Sequence, residues 1–235
     1  EHESKNKQNK FNTQINEDAK VYIKDKLLPI VSEILAPHCS CVISDDEFSI
    51  NIKYPSAFGD DYLRPEILLE IGPLASWLPA DHFEIESFAA NVFPKIFENQ
   101  KCKVNTIVAR RTFWEKATIL HHEANRPDDS PIPPRYSRHY YDLAMMAKSE
   151  VKNESLTDIK LLQNVVEFKE RFYPRGWAKY EDAKIGTLKL LPPDFRLAEL
   201  EKDYKAMENM IFDKYISFDE IIKTLKELEI EINSL

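Results

Sequence analysis

Two short stretches of this 235-residue chain have the residue types and spacing to do chemistry on a phosphate. The first is Arg110-Arg111-Thr112-Phe113-Trp114-Glu115-Lys116. Thr112 followed three residues later by Glu115 has the pattern of a capping box, in which each side chain closes an open backbone N–H, and it predicts a helix beginning there. Lys116 then falls in the first turn, where exposed N–H groups favour anions and a lysine adds a point charge. Arg110 and Arg111 precede that turn and enlarge the same cationic site. The second stretch is Arg138-His139-Tyr140-Tyr141-Asp142-Leu143. Spacings of three and four place Arg138, His139 and Asp142 on one helix surface. Asp142 can orient Arg138 or His139, or hold Lys116, and His139 has the near-neutral pKa of a general base. The plainer alternatives are an exposed helix lysine and an Arg138–Asp142 pair that only ties two helices together.

Other candidates carry less. Glu66 and Glu70 repeat at strand spacing and share one face. Glu84 and Glu86 also alternate, but Pro73 and Pro79 interrupt the segment before them, where a phosphate-cradling turn and a helix would be needed. His121-His122-Glu123 has the wrong spacing for the HExxH zinc motif, and adjacent helix residues diverge by about 100°. These histidines read as surface or substrate-edge residues. Cys39, Cys41 and Cys102 form no zinc pattern and no disulfide framework, which fits reduced thiols in a cytoplasmic protein. No apolar run reaches transmembrane length, so no membrane partner is expected.

Net charge is −8, yet between Lys101 and Tyr141 eight Lys and Arg face four acids, leaving −12 for the rest. A basic island in an acidic chain suggests local anion binding more than broad nucleic-acid wrapping. Four glycines against fourteen prolines argue against a glycine-rich phosphate loop and a doubly wound nucleotide fold.

The elements that must position these residues follow from periodicity. Residues 1–12 are polar and lysine-rich and are expected to be disordered. Residues 18–35 are amphipathic, with Pro29 set to kink or divide the helix. Alternation at Cys41, Ile43, Phe48, Ile50, Ile52 and Tyr54, with an acidic turn between, predicts a hairpin, then a loop over 55–62 and a strand over 66–71. A short strand over 82–86 would close that sheet, and a helix over 88–97 follows. Helices are expected over 156–172, 197–210 and 218–232. Strands early and helices late make an α+β protein. The expected domains are a partial α/β domain over 13–100 and a helical C-terminal domain over 101–235.

The same motif residues carry a family resemblance. A helix with Lys116, an Arg-rich turn and the Arg138–Leu143 segment resemble the nucleotidyltransferase-type toxins of the AbiEii family, over about residue 63 to the C-terminus. His139 stands where that family more usually has aspartate, and Asp142 is kept. The resemblance implies a small nucleotidyltransferase-like sheet beside a larger helical region. It implies transfer of nucleotides from an NTP to an acceptor such as tRNA, and a separately encoded antitoxin. It also implies Lys116 as the triphosphate ligand and two divalent cations, Mg2+, with Glu70 as the third metal carboxylate. Lys116, Glu70 and the His139/Asp142 edge would share one cleft. The family's opening Gly-Gly/Ser turn and Asp-x-Asp pair are absent from this sequence. With Glu1 in place of an initiator methionine, the expectation is a piece of a longer enzyme, inactive on its own. The competing class is a non-catalytic helical interaction domain that binds a partner protein.

Overall fold

The computed structural model describes residues 4–56, 65–211 and 214–235. The chain divides into two compact units, Glu1–Ala75 and Ser76–Leu235.

The first unit packs a helix on a three-stranded sheet. Helix α1 (Lys5–Tyr22) passes through a π-helical turn, Ile23–Leu27, into α2 (Leu28–Leu35). Pro29 falls in the first turn of α2, the helix position where a missing N–H is best tolerated. The wider π turn lies where the proline ring would otherwise crowd the carbonyl four residues back. Residues 5–12, expected to be disordered, are helical instead: Ser4 caps the helix by accepting from the Lys7 N–H, and the apolar stripe begins only later. Residues 1–3 of that expectation, and 57–62 of the expected loop, lie outside the described residues.

Strands β1 (Ser40–Ile43), β2 (Ser49–Lys53) and β3 (Glu66–Glu70) form an antiparallel sheet in that order. The register pairs Ile43 with Ile50, Cys41 with Ile52 and Ile50 with Leu69. One face therefore gathers these apolar residues over Ile23, Leu27, Leu28, Val31 and Leu35. Alternation turns Glu66, Leu68 and Glu70 to the other face.

The second unit opens with a two-stranded antiparallel ribbon, β4 (Ala80–Glu86) and β5 (Lys101–Ile107). The strand expected over 82–86 exists, but it pairs with β5 and does not close the first sheet. The expected helix over 88–97 is a short α3 (Phe88–Val92) followed by a 3-10 turn at Pro94–Ile96, where the proline stops the helix.

From Ala109 on the unit is helical: α4 (Ala109–Ala124), α5 (Ser137–Ala147), α6 (Glu150–Leu156), α7 (Ile159–Phe172), α8 (Leu197–Ala206) and α9 (Phe218–Asn233). Helix α4 is the hub, packed against α5, α6 and α7, with Phe113, Trp114, Ala117 and Leu120 fully buried. It does not start at the Thr112–Glu115 box. Val108 is the N-cap, and the Thr112 N–H already bonds the Val108 carbonyl. Lys116 therefore lies at the end of the second turn, beyond the reach of the N-terminal dipole, which fades within one turn.

Helix α5 is anchored from α8. Asp203 accepts the Arg135 N–H at 2.8 Å, the Ser137 N–H at 2.9 Å and the Ser137 hydroxyl at 2.5 Å. Arg135 has a left-handed φ of 65°, a strained conformation for a side chain with a Cβ, which this carboxylate holds in place. Asp203→Ala should destabilise the protein by about 2–4 kcal/mol, because it leaves several donors at a helix start unpaired. A denaturant midpoint unchanged from wild type would contradict that anchoring role.

Candidate functional site

Lys116 projects from α4 toward α5, where two partners await it. Its Nζ donates to Asp142 Oδ2 at 2.6 Å and meets His139 Nδ1 at 3.0 Å. Three of the residues singled out in the sequence, Lys116, His139 and Asp142, thus meet at one ammonium. The Lys116 side chain is 19% exposed and that of Asp142 38%, so the cluster lies at a wetted edge. His139 is deeper, 8% exposed, with the Tyr136 ring edge-on at 4.8 Å. Burial, then the charges of Lys116, Arg138 and Lys169, push His139 down to about 3. It is neutral, and because the ammonium can only donate, Nδ1 must accept, leaving the proton on Nε2. In this geometry His139 orients Lys116, and the lone pair a general base would use is already engaged.

The remaining sequence candidates fall differently. Arg138 is exposed on the same helix. Arg110 is half-exposed and reaches Asp158, the N-cap of α7, at 3.6 Å. Arg111 is 2% exposed; it bonds Glu115 at 2.9 Å and the Leu78 carbonyl, and its Nη2 has no partner. It fastens α4 to the segment before β4, so it is no open phosphate ligand. Glu70 is exposed at the end of β3, paired across the ladder with Ser49. It belongs to the first unit, whereas Lys116, His139 and Asp142 belong to the second. Glu84 is likewise exposed and stands 3.9 Å from Lys101.

A two-cation centre needs several carboxylates around one point. Among the described residues no three His, Cys, Asp or Glu side chains are so grouped. Glu70 has no second carboxylate opposite it on β2, where its partner is Ser49. The described residues do not fit the implied metal centre.

His121 and His122 are buried, against the expectation of surface residues. His121 Nδ1 accepts the Lys189 N–H at 3.0 Å, which fixes the proton on Nε2, 3.0 Å from the Lys179 carbonyl. It pins the 179–189 segment to α4. A further cluster escaped the spacing argument. Arg126 forks onto Glu123 at 2.6 and 2.7 Å, and its guanidinium lies 4.9 Å over the Trp177 ring. His122 Nε2 stands 2.8 Å from Glu123, although its angle is too poor for a good hydrogen bond. Burial opposes the Glu123 charge, but the Arg126 and His122 contacts prevail and hold its pKa at about 2. The i,i+3 spacing of Glu123 and Arg126 was the readable signal.

The model of the family described as nucleotidyl transferase AbiEii toxin, type IV toxin–antitoxin system, matches residues 5–224, and the chain belongs to it. The match starts at residue 5, well before residue 63, so the first unit is part of the family's pattern. No curated protein and no solved structure matches the chain. Among the described residues no helix is long and apolar enough to cross a membrane.

The histidines give the fold a pH dependence of definite sign. His121, His122 and His139 all lie below the ordinary value of 6.5, chiefly through burial. As pH falls through about 6.5 the unfolded chain binds protons that the folded chain refuses, so stability drops. Glu123, charged and paired in the fold, extends that loss as pH falls from 4.5 towards 2. Melting temperature should fall between pH ~7 and ~5, and His139→Gln should flatten that slope. A melting temperature level across this range would refute the assignment of neutral buried histidines.

Proposed function

We propose that this chain holds the triphosphate of a nucleotide at Lys116, in a reaction that transfers nucleotides to an RNA acceptor such as tRNA. The observation that carries the reading is the Lys116 ammonium fixed at 2.6 Å from Asp142 and 3.0 Å from His139 at an accessible edge of a nucleotidyl-transferase family body. A lysine clamped by a carboxylate and a neutral imidazole is pre-oriented, so little entropy is lost when phosphate oxygens reach it. Arg138 and Arg110 would add charge at the rim. Asp142 and His139 would act through Lys116, holding its ammonium in place. Magnesium is the proposed ion of the family's reaction, and Glu70, which stands without companion carboxylates among the described residues, does not by itself make a site for it. A separately encoded antitoxin is the proposed partner, as the family's type IV systems imply.

The Asp-x-Asp pair is absent from the sequence and the described residues hold no three-ligand group, so the chain by itself is proposed to bind nucleotide without transferring it. With magnesium and all four triphosphates, labelled nucleotide should not enter RNA, while calorimetry should detect triphosphate binding. Lys116→Ala should weaken that binding at least ~10-fold with an unchanged circular dichroism spectrum. Binding unaffected by Lys116→Ala would remove Lys116 from the site, and robust incorporation would refute the proposed inactivity.

A second reading, a non-catalytic interaction domain, is favoured by one feature. Phe83, Ile85, Phe88 and Val92, on or beside the β4–β5 ribbon, are all largely exposed. A chain that binds no triphosphate would leave this reading in possession.

A further inference from the structure

Lys169, on α7, lies half-buried against α4 and donates to the Glu115 backbone carbonyl at 3.1 Å. An ammonium has three donors, and a single carbonyl uses one. Among the described residues Lys169 forms no ion pair. Its surroundings are mostly cationic. Burial is the first cause, and Arg175, Lys116 and Arg111 add repulsion against the attraction of Glu115, which together bring Lys169 down to about 7. Lys169 in turn bears on His139 and His122, so its charge is felt at the Lys116 cluster itself. The two lysines differ in one respect. Lys116 is paired with Asp142, while among the described residues Lys169 makes no such contact and feels only the longer-range attraction of Glu115. A half-buried cation without a close counter-ion gains when a ligand supplies one.

We propose that Lys169 is a second phosphate-binding lysine, adjoining Lys116, whose missing counter-ion is the polyphosphate chain of the nucleotide. This rests on the reading of Lys116 as the triphosphate ligand. The groups that bear on Lys169 are Arg111, Glu115, Lys116 and His122 from α4, His139 from α5 and Arg175 from the segment after α7. An anion arriving among them favours the charged form of Lys169, so binding is coupled to proton uptake. His139, held far lower, stays neutral at mildly alkaline pH and does not contribute. Arginine at this position would keep the charge and lose the coupling, because a guanidinium does not deprotonate in a protein.

The test is calorimetric titration of the whole chain with ATP, CTP, GTP and UTP at pH ~8, each in two buffers of different ionisation enthalpy. For each triphosphate that binds, the wild type should take up roughly one proton, Lys169→Arg should bind with no uptake, and Lys169→Met should bind at least ~10-fold more weakly. Circular dichroism checks folding, and if Lys169→Met does not fold the arginine variant carries the test alone. Wild-type binding without proton uptake, equal uptake in Lys169→Arg, or undiminished binding by folded Lys169→Met each overturns the role of Lys169 and leaves Lys116 standing. No binding of any triphosphate by the wild type removes the Lys116 reading, and this one with it.

Discussion

A polar group buried in a helix must find its partner inside the protein, and α4 is buried along most of its length while rich in such groups. The demands of its side chains fix where neighbouring segments lie. Arg111 takes the Leu78 carbonyl, His121 takes both Lys179 and Lys189, and Lys116 takes Asp142 and His139. Even its backbone serves, since the Glu115 carbonyl receives Lys169. Phe113, Trp114, Ala117 and Leu120 supply the apolar contact, and the polar ties choose one packing among those the apolar face would accept. The Lys116 contacts are one member of this set of ties, so the candidate site and the scaffold are held by the same helix.

The sheet strands were legible because their alternation is strict. Cys41, Ile43, Ile50 and Ile52 face one way, and the turn between them is acidic and short. Helix α9 was equally plain, with Ile221, Leu225, Leu228 and Ile232 at helical spacing. Other features were hidden for physical reasons. Strand β5 alternates Cys102 and Val104 with Lys101 and Lys103, but it is exposed on both faces and its lysines counted only toward the basic island. The Thr112–Glu115 box misled because a side chain that can cap also fits inside a helix that Val108 has already opened.

Within the candidate site, spacing placed Asp142 and His139 on one surface, and contact with Lys116 was among the options it left open. The burial of His121 and His122 could not be read locally. Their partners lie 58 and 68 residues away for His121, and 58 residues away, at Tyr180, for His122. Asp203 was invisible for the same reason, since what it caps is on another helix. Pairings across long sequence separations leave no periodic trace.

The Lys116–Asp142 contact also has a consequence for selectivity. An anion that approaches this ammonium meets a carboxylate already in contact with it, and must either share the charge or displace Asp142. A singly charged ion such as chloride gains too little from that exchange to repay the loss of a close ion pair. A ligand with several negative oxygens close together can replace what it removes. On the proposed reading the pair would therefore work as a threshold on charge density, keeping the lysine out of the hands of the dilute, weakly charged ions that surround any protein while leaving it open to a few strongly charged ones.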